Sequence, residues 1–248
     1  MRKYLFLATI FILAISSTNA QKMRGLYGNA LPGSFSIMLS GVGPAYLFSD
    51  VGGRIDEQLI KAFDWDIGHT RFMYSMGLRY LFPGNFGLKA NVMFGNFTGD
   101  DANTSNALRA YSFESRVTEF SLLGEFVLWG GPFAEVPNRH TLSVFAGAGV
   151  LHSNSTLSRV GGFRPTDAFQ PTVTTPVMPM GVSYQYSLNS NLSIGTEFAW
   201  RYTFTDFLEG LTTPDSRNND VLVNLSFTLN YKLYGGKPNE YNCNCNWW

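Results

Sequence analysis

The last strongly patterned stretch of the chain, residues 220–234, limits what the whole can fold into. Every second residue from Val221 is apolar: Val221, Val223, Leu225, Phe227, Leu229, Tyr231 and Leu233. Those between them, Leu222, Asn224, Ser226, Thr228, Asn230, Lys232 and Tyr234, are mostly polar. Side chains alternate across a strand with period two, so this reads as a β-strand with one greasy and one wet face. It outruns the five or six residues usual in soluble sheets and suits the roughly 9–11 tilted residues that cross a bilayer.

Seven earlier stretches repeat the pattern. The weakest is 34–49, where Phe35, Ile37 and Leu39 alternate with serines and Met38 before Pro44, which cannot donate to a ladder and predicts a bulge or bend. The strand at 70–82 sets Phe72, Tyr74, Met76, Leu78 and Tyr80 on one face, and 86–97 sets Phe86, Leu88, Val92 and Phe94 on one. Next come 117–129, with Phe120, Leu122, Phe126 and Leu128 together, and 139–152, where Phe145 and Leu151 blur the alternation. The strands at 176–188 and 192–205 complete the set of eight. Residues 50–69, 98–116, 153–175 and 206–219 read as long connections, the first with a helical turn near 57–63. Pro83-Gly84-Asn85, residues 130–138 and Asn189-Ser190-Asn191 read as short ones. Connections alternating long and short around an even number of strands describe an outer-membrane barrel with both termini on the periplasmic side.

A soluble barrel alternates too, with its apolar face inward. Volume separates the two. The apolar faces carry on the order of three dozen mostly bulky side chains, and an eight-stranded barrel is only just wide enough to be filled by side chains. The apolar face therefore points to lipid. The opposite faces are rich in Gly, Ser, Asn and Thr and carry Arg71, Arg79, Lys89, Glu119, Glu125, Glu197, Arg201 and Lys232. These eight charges share the lumen and are expected to pair with one another as a filled plug, since eight strands leave no aqueous channel. Trp129, Trp200, Tyr202, Tyr231 and Tyr234, near strand ends, suit interfacial girdles.

Upstream, Arg2-Lys3, an apolar core over 5–15 and Ser16-Ser17-Thr18-Asn19-Ala20 form a secretory signal, with cleavage expected after Ala20. The expected organisation is signal peptide 1–20, periplasmic leader 21–33, barrel 34–234 and a short periplasmic tail 235–248. The fold class is thus all-β, an eight-stranded antiparallel transmembrane β-barrel with a filled lumen. The full chain balances 18 basic against 18 acidic residues, and losing Arg2 and Lys3 leaves 16 against 18, a charge of −2. Nothing in that balance attracts nucleic acid.

Catalytic spacing is sparse. His152 precedes Ser153, and Asp100-Asp101 belongs to the same rim, so a Ser/His/Asp arrangement acting on lipid is conceivable there. His69 falls in the first long connection and His140 at a turn edge. No G-x-S-x-G occurs, and Cys243-Asn244-Cys245 lacks a nearby His or second Cys pair for zinc. The run Phe145-Ala146-Gly147-Ala148-Gly149 sits inside a strand, where glycine allows close approach, rather than forming a phosphate loop. We therefore expect no enzyme, no cofactor, no metal and no small-molecule substrate.

Four stretches give the chain a family resemblance: residues 95–101 (GNFTGDD), 119–126 (EFSLLGEF), 145–152 (FAGAGVLH) and 201–209 (RYTFTDFLE). With the strand spacing, they make it resemble the PorG-like outer-membrane barrels that accompany the type IX secretion machinery. The 161–176 loop and the ending Asn246-Trp247-Trp248 depart from the usual version. The resemblance implies a non-enzymatic anchor that holds a periplasmic ring, a lipoprotein and its partner, against the outer membrane for protein export and gliding. A competing reading is a surface adhesin or passive stabilising barrel working through the 98–116 and 153–175 loops.

The tail holds the chain's only two cysteines, Cys243 and Cys245. In an oxidising compartment they either close on each other, across a strained small ring, or link to a partner. Tyr241, Trp247 and Trp248 supply apolar anchors of the kind favoured at interfaces. Within 201–209, Asp206 is expected to brace the outer end of its strand.

Overall fold

A computed structural model describes residues 33–48, 71–82, 84–100, 111–130, 139–159, 168–189, 191–212 and 219–234. The expected signal peptide, nearly all of the leader, the 57–63 turn, His69, Asp101 and the whole tail, with Tyr241, Cys243, Cys245, Trp247 and Trp248, lie outside the described residues.

The strands are β1 (Ser34–Phe48), β2 (Arg71–Leu81), β3 (Phe86–Asp100), β4 (Tyr111–Gly130) and β5 (His140–Arg159). They continue with β6 (Ala168–Phe169), β7 (Thr172–Ser187), β8 (Leu192–Thr203), β9 (Leu211–Thr212) and β10 (Val221–Tyr234). Eight of them close a barrel in the order β1-β10-β8-β7-β5-β4-β3-β2, every pairing antiparallel, while β6 and β9 form a separate two-stranded sheet. β1 pairs with β10, so the barrel has no free edge. The connections at 82–85, 131–139 and 188–191 share one end with the start of β1 and the end of β10; we call it the turn side. The longer connections define the loop side.

The ladder is interrupted near Pro44 as expected, with register shifts between Gly41 and Ala45 against β10 and between Gly41 and Gly43 against β2. In β5, a Cβ on Gly147 would run into the Leu122 carbonyl of β4, so only glycine fits that inward position.

The outer surface is a belt of exposed large apolar side chains: on β2 Phe72, Tyr74, Met76 and Leu78, on β4 Phe120, Leu122 and Leu128, on β10 Phe227, Leu229 and Leu233. From Phe72 to Phe82 the belt spans ten residue steps, roughly 33 Å along the strand, or ~25 Å along the barrel axis at a tilt near 40°. A lipid-facing band of such barrels has that height. Two residues assigned to this face by alternation depart from it. Val221 and Val223 are 3% and 6% exposed, because the loop-side end of β10 is covered.

Four strands run further than the alternation of the lipid face indicates. β4 and β5 are 20 residues each, and their pairing continues through Arg116↔Asn154 to Tyr111↔Arg159. Residues 111–116, 153–159 and 172–175, read from sequence as connections, are thus mostly strand. Pairing of β3 with β4 likewise runs to Asp100↔Ser112. Beyond the belt the polarity of the faces inverts. Phe113, Val117, Leu151 and Leu157 point inward, while Glu114, Arg116, His152 and Asn154 are exposed outward. Inward residues there join Met73, Met93, Phe97, Tyr111 and Leu222 in one apolar core at the loop-side mouth.

Candidate functional site

Below that core the lumen holds buried charges beside a small apolar cluster of Leu123, Phe145 and Ala199, and the charges pair across the barrel rather than along it. Glu125 of β4 receives two hydrogen bonds from Arg79 of β2, Nε to Oε2 at 2.7 Å and Nη2 to Oε1 at 2.8 Å, and a third from Ser143 Oγ at 2.6 Å. Arg79 Nη1 also donates to Gln185 Oε1 at 3.3 Å. Lys89 of β3 donates to Glu197 of β8 at 2.5 Å, spanning opposite walls, with its ammonium 4.5 Å from the Phe145 ring centre. Arg201 of β8 donates through Nε to Glu119 of β4 at 2.7 Å and through Nη1 to Asn224 Oδ1. Glu119 and Glu125 are fully buried. Each pair therefore joins strands that are not neighbours in the sheet, and the burial means that losing one partner strands a charge.

Of the eight charges assigned to the lumen from sequence, six form these three pairs. Arg71 and Lys232 also face inward but are half-buried near the ends, and Arg71 makes contacts of its own elsewhere. The second partners Ser143, Gln185 and Asn224 carry no signature beyond inward parity.

Residues 204–212, which follow β8, fold back into the mouth. Leu208, Glu209, Gly210 and Leu211 are all buried, with Leu208 and Leu211 packed into the apolar core. Gly210 has φ +87°, a left-handed conformation that suits glycine and lets the chain turn back inside the mouth. Three serine hydroxyls of the β4–β5 wall converge on one backbone carbonyl: Ser115, Ser153 and Ser155 lie 2.7, 2.9 and 2.6 Å from the Leu208 oxygen. Asp220 Oδ2 accepts from the Leu208 N–H at 2.8 Å, so both backbone groups of Leu208 are satisfied. Asp206 Oδ2 accepts from Thr212 Oγ1 at 2.5 Å and ties the loop across itself, while the backbone bracing of β8 includes Thr203 N–H to Asp220 O and Asp220 N–H to Thr205 O. The short sheet adds Phe169↔Leu211, and Gln170 N–H donates to Gly210 O at 2.9 Å. This stopper was not read from sequence. Its signal was present in Ser-x-Ser at 153–155 and in Phe113, Val117, Leu151 and Leu157, which keep the inward parity with reversed polarity.

The rim histidines are surface groups. His152 is exposed on the outer face of β5 with Nδ1 2.9 Å from Thr174 Oγ1, whereas Ser153 is fully buried on the inner face. The strand thus holds the two side chains on opposite sides of the wall, and they do not come together. His140 Nδ1 lies 2.6 Å from Tyr184 OH, and its ring stacks near Trp129.

A closed ring of eight strands, an exposed apolar belt and a salt-bridged interior define a transmembrane β-barrel of the outer-membrane type with a filled lumen. The chain is similar to the barrel of Ail, the attachment invasion locus protein of Yersinia pestis, at 12% identity over 82% of this chain and 99% of that one, with a TM-score of 0.43. It is similar to a major outer membrane protein of Thermus thermophilus at 13% identity, over 80% and 99%, TM-score 0.45. The N-terminal β-barrel domain of Pseudomonas aeruginosa OprF gives 12%, 80%, 99% and 0.41. No curated protein matches the sequence. Residues 64–238 match the model of a family described as "Domain of unknown function (DUF6089)", and the chain belongs to that family.

Proposed function

We propose that this barrel is a non-enzymatic outer-membrane anchor that holds a periplasmic ring of the type IX secretion and gliding machinery, with both termini on the periplasmic side. The observation that carries the reading is the filled lumen. Among the described residues, three ion pairs cross the lumen and a hydrogen-bonded segment packs into its loop-side mouth, which supports a protein that acts through its faces and its segments outside the membrane. The resemblance of residues 95–101, 119–126, 145–152 and 201–209 to PorG-like barrels supports a ring lipoprotein and its partner as the assembly that the anchor holds. Tyr241, Trp247 and Trp248 supply the apolar contacts, and Cys243 and Cys245 either link to that partner or close locally. Gentle cross-linking of intact cells, followed by identification of captured proteins, tests the role. A periplasmic ring lipoprotein among them supports it, and capture of extracellular ligands alone overturns it. Non-reducing gels of the parent, Cys243→Ser, Cys245→Ser and the double variant test the link through a reductant-sensitive band of partner mass.

The adhesin reading has one observation in its favour: the loop side carries a braced wall, β4 and β5, standing clear of the belt. Loss of surface adhesion with export intact, after replacement of residues 101–110, would favour it.

A further inference from the structure

The wall formed by β4 and β5 changes character within one outward step. Phe120↔Val150 is the last apolar pair on the lipid face, and both residues are about half exposed. The next outward pair is Thr118↔His152, followed by Arg116↔Asn154, Glu114↔Thr156 and Ser112↔Ser158. Thr118, His152, Arg116 and Asn154 are exposed. Across β7 the polar band continues with Thr174 beside His152 and Thr172 beside Asn154. This band is continuous with the belt. A lipid whose chains cover Phe120 and Val150 therefore rests its headgroup on Thr118, His152, Arg116 and Asn154.

Height and chemistry narrow the headgroup. From Thr118 to Tyr111 the wall rises seven residue steps, roughly 18 Å along the barrel axis at the usual strand spacing and tilt. A phospholipid headgroup layer is only about 5–8 Å deep on each side of the hydrocarbon. Small hydroxyl and amide side chains over that height match a saccharide, because they offer donors and acceptors at little entropic cost. Arg116 makes no salt bridge among the described residues, and its guanidinium suits a phosphate near the lipid boundary. Glu114, one outward step higher, disfavours a second phosphate there.

We propose that the outer face of β4, β5 and β7 just beyond the belt is a binding surface for a phosphorylated glycolipid, with Arg116 on its phosphate and Thr118, His152, Asn154 and Thr174 against its sugars. Meeting that lipid in the cell rests on the loop side facing outward, as in the function proposed above. A titration in detergent reads the site whatever the orientation. The full chain, refolded in detergent, is titrated in separate arms with bisphosphorylated lipid A, dephosphorylated lipid A and phosphatidylglycerol, and bound lipid is counted by native mass spectrometry. Bisphosphorylated lipid A is expected to bind about tenfold more tightly than either other lipid. Arg116→Gln is expected to remove about tenfold of that affinity, in keeping with one charge-assisted contact. Asn154→Ala, which keeps the charge, is expected to weaken both lipid A forms alike. Arg139→Gln, exposed on the turn side, serves as the control. Equal binding of lipid A and phosphatidylglycerol, an Arg116→Gln variant that binds like the parent, or an equal loss in Arg139→Gln would each overturn the proposal.

Discussion

Replacing Arg79 by Met isolates what a lumen ion pair contributes. The substitution removes both bonds to Glu125 and the contact to Gln185, leaving a fully buried carboxylate with one hydrogen bond, from Ser143, and only the longer-range attraction of Lys89. Removing one partner of a buried pair costs about 3–5 kcal/mol, because the remaining charge has lost both water and its counterion. Methionine occupies much of the same volume, so cavity cost is small and the loss reports on charge. Replacing both residues, Arg79→Met with Glu125→Leu, removes the stranded charge, and the double variant is expected within about 1–2 kcal/mol of the parent. The assay is reversible urea unfolding of the barrel in phospholipid vesicles, followed by tryptophan fluorescence, with the two single variants and the double completing a cycle. A coupling of at least about 2 kcal/mol is expected. A double variant as unstable as Arg79→Met, or an Arg79→Met variant within about 0.5 kcal/mol of the parent, would refute the claim that these charges are buried and mutually compensated.

Leu229→Arg, near the middle of the belt on β10, is expected to destabilise the barrel in vesicles by about 2–4 kcal/mol, and Thr118→Arg, beyond the belt, by under about 1 kcal/mol; equal costs would contradict the position of the lipid boundary. Gly147→Val forces a side chain into the Leu122 carbonyl and is expected to block refolding, read as loss of the compact band on unheated gels. Asp220→Ala takes the acceptor from the Leu208 N–H at a cost of about 1–3 kcal/mol. Hydrogen exchange should quicken over residues 204–212 while the strands around Glu125 keep their protection, and uniform quickening would mean that the stopper and the barrel open together.

The barrel was legible because lipid imposes a rule stronger than packing: outward positions must be apolar along every crossing, and Phe72 through Tyr80 or Leu225 through Leu233 obey it. The inward charges were legible for the same reason, since Arg79, Glu125 and Arg201 occupy the opposite parity. Pairing among them was not, because Lys89 meets Glu197 across the lumen and sequence separation says nothing about diameter. Strand length was underestimated wherever the strand leaves the membrane. Residues 111–116 and 153–159 are rich in Ser, Thr and charge, and such composition reads as loop unless the inward series Phe113, Ser115 and Val117 is followed separately. Val221 and Val223 failed for a related reason: exposure at a belt's edge depends on what covers it, which period two does not encode.

The reversal of polarity along β4 and β5 has a consequence for how the strands find their alignment. A slip of β4 by one residue would exchange its two faces along the entire length. In the lipid half, Glu119 and Glu125 would swing into hydrocarbon while Phe120 and Phe126 entered the charge network. In the water half, Phe113 and Val117 would turn to solvent while Glu114 and Arg116 were driven into the apolar core. Two solvents of opposite preference thus grade the same strand at once, and a misalignment tolerated by one is rejected by the other. Even the Gly-rich inner face of β5, where side chains offer least discrimination, is held to a single partner row by the aqueous end of its own strand.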